Sequence, residues 1–303
     1  MGSAEVGATW LCSLGGAAAL AARDLARLVL PVECAGCGTL DEVLCAGCRA
    51  PLTGPPQRCE ESAPRLDLMD GRPAFPVWAL TPYTGPVREL VVAWKDRGRV
   101  DLTQTLTAAL AVGAGDVAAV LRAARLGPWP LLVVPAPSSA AARRRRGADL
   151  VGLLARSVAS GCVAAGVPAR AAPVLAQRAG MRDQVGLGAR ARGRNLGGGV
   201  RWRTRADLPA AGQPVLLVDD VLTTGATLAA CERAVRAAGG IVVGALTLAA
   251  TPPPGGFPGT SWNEGPAGES LASTGWPQGW LERAPGRVTV KTRSTHRPPV
   301  QGQ

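Results

Sequence analysis

The sequence predicts an α/β protein: a mostly parallel sheet flanked by helices, with a small four-cysteine module before it and an irregular tail after it. Three observations carry this prediction. The apolar runs Leu131–Val134, Val215–Val218 and Ile241–Ala249 read as buried strands and alternate with Ala- and Leu-rich stretches of helical length. Cys34-x2-Cys37-x7-Cys45-x2-Cys48 has the spacing of a tetrahedral thiolate site. From Thr251 onward Pro, Gly, Ser and Thr dominate without periodicity. The expected divisions are an amphipathic helix in 1–30, a zinc-ribbon-like module in 31–62, the sheet domain in 75–250 and a disordered tail in 251–303.

Composition bounds the reading. A chain of 303 residues with 47% hydrophobic content can bury a substantial core. The net charge of +11 favours anionic partners. Nearly all of it is arginine, with Lys only at Lys95 and Lys291. Arginine suits bidentate phosphate recognition, yet compositional bias explains the same excess, so charge alone does not indicate nucleic acid. The cysteines outside the cluster (Cys12, Cys59, Cys162, Cys231) are scattered, unlike a secreted disulfide framework, and fit a reducing cytoplasm. The only histidine, His296, lies in the tail, which excludes a histidine base.

Residues 8–30 are apolar, but Arg23, Asp24 and Arg27 interrupt them and no basic residue precedes them, so a short amphipathic helix is expected rather than a signal or a membrane span. In the cysteine module Gly36, Gly38 and Gly47 permit tight turns, and a metal would take the place of an apolar core. Zinc leads; an iron–sulfur cluster and a redox dithiol pair are the alternatives. Residues 49–76, rich in Pro, Arg and Gly, read as a linker, with Cys59-x-x-Ser62 too incomplete for a third knuckle. A short strand in Phe75–Tyr83 leads to a helix with Pro86 in its first turn and Val87, Leu90, Val91 and Trp94 on one face. Lys95 and Arg97 after it suit either a helix C-terminus or a phosphate contact. An Ala/Leu helix covers 101–126. The strand Leu131–Val134 runs into Pro135-Ala136-Pro137-Ser138-Ser139, a turn suited to binding an anion through backbone N–H groups. Arg143–Arg146 and a helix through Ala159 follow. Val174-Leu175 and Val200–Trp202 are short strands around the Arg- and Gly-rich stretch Gln177–Asn195, which reads as a functional loop.

The most informative stretch is Val215–Leu228. A buried strand meets two adjacent carboxylates, Asp219 and Asp220, then a turn with Thr223, Thr224 and Gly225, and then a helix that opens with Ala226 and Thr227 and is stopped by Gly239-Gly240. The free N–H groups and positive dipole end of that helix suit a phosphate. The carboxylates repel phosphate but accept hydrogen bonds from a vicinal diol. A ribose 5-phosphate carries both groups. Neither Gly-x-x-x-x-Gly-Lys nor Gly-x-Gly-x-x-Gly occurs here, so the nucleotide P-loop and the dinucleotide fingerprint do not describe this turn.

This stretch resembles the 5-phosphoribosyl-1-pyrophosphate (PRPP) motif of type I phosphoribosyltransferases. From about Leu28 to Ala250 the chain is similar to the ComF family of competence-associated, phosphoribosyltransferase-like proteins. The likeness lies in the cysteine knuckles, Tyr83-x-Gly85 with Lys95-x-Arg97-Gly98, Pro135-x-Pro137, Arg146-Gly147, Gln184-x-x-Leu187 with Arg192-x-x-Asn195, and the PRPP motif, in that order. The resemblance implies a type I phosphoribosyltransferase-like sheet, a structural zinc and Mg²⁺ carried with PRPP. It implies Asp219 and Asp220 on the ribose, with Thr223, Thr224, Gly225, Ala226 and Thr227 on the 5-phosphate. Ala136, Pro137, Ser138 and Ser139 would form the diphosphate loop, and Arg178–Asn195 a hood. The chain departs from the family at Ala148-Asp149-Leu150, Ser138-Ser139 and Met181, so PRPP binding is implied first and transfer second.

The expected activity is transfer of the phosphoribosyl group to a nitrogenous base, by positioning and charge stabilisation. The alternative is a non-catalytic DNA-handling or PRPP-sensing protein on the same scaffold. Candidate partners are PRPP, single-stranded DNA, DNA-uptake or recombination proteins, and a second copy of the chain.

Overall fold

The computed structural model describes residues 32–66, 73–124, 126–177, 199–204, 208–253 and 256–257. The helix expected in 1–30, the stretch 178–198 with the whole of the expected hood Arg178–Asn195, and nearly all of the expected tail lie outside them. The chain divides into two compact units, one built on residues up to Pro51 together with Thr84–Thr103, the other on Leu52–Tyr83 and the chain from Gln104 on.

In the first unit the second cysteine knuckle runs into α1 (Ala46–Arg49), which is capped by Cys45 and carries Cys48, and α2 (Gly85–Asp96) returns after a long excursion. Arg99 explains why the later segment belongs with the module. Its guanidinium donates to the carbonyls of Glu33 at 2.9 Å and Val43 at 3.3 Å and pairs with Asp101 at 2.9 Å. Along α2 Val87, Leu90, Val91 and Trp94 are buried, the face expected from their spacing.

The second unit is a six-stranded sheet in the order β1-β2-β8-β7-β3-β4. The strands are β1 (Gln57–Arg58), β2 (Val77–Pro82), β3 (Leu131–Pro135), β4 (Ala169–Ala171), β7 (Pro214–Leu222) and β8 (Ile241–Ala250). Every pairing is parallel except that of β1 with β2. A separate antiparallel pair, β5 (Leu175–Gln177) and β6 (Val200–Trp202), closes the base of the Arg-rich stretch. The four central strands are buried on both faces, which is why they are continuous apolar runs rather than alternating ones.

Helices cover both faces. On one side α3 (Thr103–Ala123) and α5 (Leu150–Ala164) cross so closely that a Cβ on Gly161 would stand 2.1 Å from the Ala111 carbonyl oxygen. On the other, α6 (Ala226–Ala237) buries Leu228, Cys231 and Val235 in a cluster with Val77, Ala79, Val134, Val215, Leu217 and Ala245. A seven-residue helix, α4 (Ala140–Arg146), ends at Gly147, whose φ of 68° separates it from α5. Among the described residues, the helical stretch Val100–Ala123 is long and apolar enough to cross a membrane by length and composition. Its Leu106, Leu110, Val117 and Leu121 are fully buried, as in a core helix.

The linker expected in 49–76 is replaced by structure. Residues 50–52 and 60–62 form single 3-10 turns, and β1 pairs on the edge of β2. Cys59, Ser62, Ala63 and Leu66 are all buried. They recur at i, i+3, i+4 and i+7, a helical stripe that the Pro and Arg content hides.

Candidate functional site

The sheet reverses direction between β3 and β7. From β3 the chain crosses through α5 to β4 on one side; from β7 it crosses through α6 to β8 on the other. In open α/β sheets such a switch point leaves a crevice at the carboxyl ends of the two strands, where ligands bind. Both loops singled out from the sequence, 136–139 and 223–227, start from that end.

β7 is longer than the sequence suggests. It runs through the acidic pair to Leu222 and stays paired with β8 as far as Leu222 opposite Ala250. Its pairing with β3 stops earlier, at Pro135 opposite Val218, with the Ala136 N–H donating to the Val218 carbonyl at 2.7 Å. Residues Asp219–Leu222 therefore form an edge beyond the end of β3. Successive strand residues face opposite sides, so Asp219 shares the α6 side with Val215 and Leu217, and Asp220 turns to the other. This separates two carboxylates that the sequence reading treats as side by side. Asp220 is buried, Asp219 half-buried. An Asp219 carboxylate oxygen accepts the Asp220 N–H at 2.9 Å. Burial, with the nearby Asp219 charge adding to it, pushes the Cys231 thiol of α6 far up, so it stays neutral.

The turn after β7 is built for close backbone approach. Gly225 has φ 76° and serves as the N-cap of α6 without a side-chain cap, and its carbonyl accepts from Ala229 N at 2.9 Å. The first amides of α6 therefore have no intrahelical partners. Thr223 and Thr224 are exposed and Thr227 half-buried, so their hydroxyls border the same turn. A feature missed by sequence reasoning lies behind Gly225: a Cβ there would sit 2.8 Å from Ala63 Cβ and 2.9 Å from Leu66 Cγ.

The loop 136–139 offers fewer donors than expected. Ala136 spends its N–H on β7 and Pro137 has none. The Ser139 hydroxyl caps α4 by accepting from Ala142 N at 3.1 Å. The Ser138 carbonyl accepts from Arg143 at 2.6 Å and the Pro137 carbonyl from the Gln177 side chain at 3.0 Å. The amides of Ser138 and Ser139 are the donors this loop retains for an anion. Gln177 also ties the base of the β5–β6 pair to the loop. Arg143, Arg144 and Arg145 are exposed around a single turn of α4.

Lys95 and Arg97 belong to the first unit, where Arg97 pairs with Glu89 at 3.0 Å and its backbone N–H closes α2 on Ala93. The same unit brings Cys34, Cys37, Cys45 and Cys48 together with all four sulfurs within 4.8 Å of one another. A tetrahedral zinc–thiolate site has S···S edges of about 3.8 Å, and Cys37 and Cys45 already stand at 3.6 Å. Gly36 is needed there, because a Cβ would come within 2.8 Å of Cys48 Sγ. Burial raises the Cys34 thiol, but amides of Cys45, Cys37 and Gly36 outweigh it and hold the group at about 6. The four cysteines could therefore hold a metal ion. No protein-family model matches the chain, and no curated protein matches it.

Proposed function

We propose that this chain is a PRPP-binding protein of the type I phosphoribosyltransferase kind, with a structural zinc in the four-cysteine module, that transfers the phosphoribosyl group to a nitrogenous base. The observation that carries this is the switch-point crevice between β3 and β7. An acidic pair lies on the part of β7 that runs past the end of β3, and an αL glycine opens a 12-residue helix after it. A ribose laid over that strand end would meet one carboxylate from each side, and its 5-phosphate would meet the amides at the start of α6. The diphosphate, carrying Mg²⁺ with it, would lie toward Ser138 and Ser139.

In transfer the bond from ribose C1 to the diphosphate oxygen breaks, pyrophosphate leaves with that electron pair, and a base nitrogen attacks C1. No protein nucleophile takes part. The chain's contribution is to hold the ribose by Asp219 and Asp220, fix its phosphate, and offer Ser138 and Ser139 amides to the departing charge. Free thiols at buried Cys59, Cys162 and Cys231 support a cytoplasmic setting.

Replacing Asp219→Asn and Asp220→Asn together keeps the shape and removes both charges. By calorimetry with Mg²⁺ present, the double variant is expected to lose measurable PRPP binding; unchanged affinity rejects the site. Pyrophosphate release across a panel of nucleobases then identifies the acceptor.

A further inference from the structure

Residues 59–66 make a stiff, anchored wall. Cys59 N–H donates to Val77 O at 2.9 Å, and a Glu60 carboxylate oxygen accepts the Val77 N–H at 3.2 Å. Ser62 N–H donates to Cys59 O, Ala63 N–H to Glu60 O and Leu66 N–H to Ala63 O, at 3.0, 2.8 and 2.8 Å. Ala74 N–H donates to Leu66 O at 3.0 Å and holds the far end. From this wall Ala63 and Leu66 press on Gly225, and the Arg65 N–H donates to the Thr224 carbonyl at 3.1 Å.

A trans peptide is planar, and its C=O and N–H point in opposite directions. The carbonyl of Thr224 and the amide of Gly225 belong to one peptide. Holding that carbonyl against Arg65 turns the Gly225 N–H to the side away from the wall. Were this peptide to flip, the turn would present an oxygen to the anion instead of a donor.

We infer that residues 59–66 are a positioning clamp for the phosphate turn, which acts through the Arg65 backbone N–H on the Thr224 carbonyl and so aims the Gly225 amide at a bound phosphomonoester. This rests on the reading of the turn as the 5-phosphate site. Arg65 acts by its main chain; its side chain is exposed. The clamp serves the phosphomonoester end alone, so it sets the affinity for that group without touching the diphosphate loop.

The test is calorimetry on the full chain with two probes, ribose 5-phosphate and magnesium pyrophosphate. Arg65→Pro removes the donor and is expected to weaken ribose 5-phosphate about tenfold, the loss of one hydrogen bond to a charged group's site. Pyrophosphate affinity should change by less than about twofold, a difference within measurement scatter on that scale. Arg65→Ala keeps the N–H and should rescue ribose 5-phosphate binding. Should Arg65→Pro not fold by circular dichroism, Leu66→Ala withdraws the side chain packed behind Gly225 and loosens the segment that presents the Arg65 N–H, so a smaller loss, still confined to ribose 5-phosphate, is expected. Parallel losses of both probes, equal losses in Arg65→Ala and Arg65→Pro, or no loss in the folded wall variants overturn the clamp. A wild-type chain that binds neither probe overturns the proposed function itself.

Discussion

Gly225 joins two constraints that no other residue type meets. Its φ of 76° lies in the left-handed region, and the space where a Cβ would stand is taken by Ala63 and Leu66. Gly225→Ala is therefore expected to destabilise the chain by about 1–3 kcal/mol in urea unfolding, from strain and overpacking together. It should also weaken ribose 5-phosphate, because relief of the clash moves the turn's amides. The acidic pair teaches a related lesson. Two adjacent aspartates suggest one shared task, yet strand alternation sends them to opposite sides once β7 is seen to extend through them. Ser139, expected in the anion loop for its backbone N–H, has a second task, since its hydroxyl oxygen caps α4 by accepting from Ala142 N.

Elements whose cause is local were legible from sequence. Apolar runs marked β3, β7 and β8, and apolar spacing marked the buried face of α2. Elements whose cause is a neighbour were not. β4 is three residues long and exists because it pairs with β3, and β1 is two residues held on the edge of β2. The crossing of α3 and α5 depends on Gly161, whose hydrogen lets the backbones nearly touch. Gly161→Ala is expected to lower stability by about 2 kcal/mol or more in urea unfolding, since the obstruction is main chain and cannot rotate away. Gly115→Ala is the contrasting case. Its nearest outside atom would be Ala165 Cβ at 4.0 Å. Ordinary contact and better helix propensity should raise stability by about 0.5–1 kcal/mol in the same measurement.

At the scale of the whole molecule, two units are held by different means, a cysteine cluster in one and a large apolar core in the other. Chelation separates them. Stripping metal at pH 8 is expected to release about one zinc per chain and make Cys34, Cys37, Cys45 and Cys48 open to alkylation, read by mass spectrometry. Cys59, Cys162 and Cys231 should stay protected until urea unfolds the second unit. Burial pushes Cys162 up to about 11 and raises the other two well above the usual thiol range, so at pH 8 all three are protonated as well as inaccessible. The sequence by itself determined the α/β class, the metal-ligand spacing and the strand–acid–turn–helix order, because each depends on residues close together in the chain. The tertiary structure alone decided that β3 and β7 are neighbours with diverging crossovers, and that the apparent linker is a wall behind Gly225. Both depend on pairings between segments far apart in sequence, and no local pattern encodes which strand end or turn a distant segment will meet.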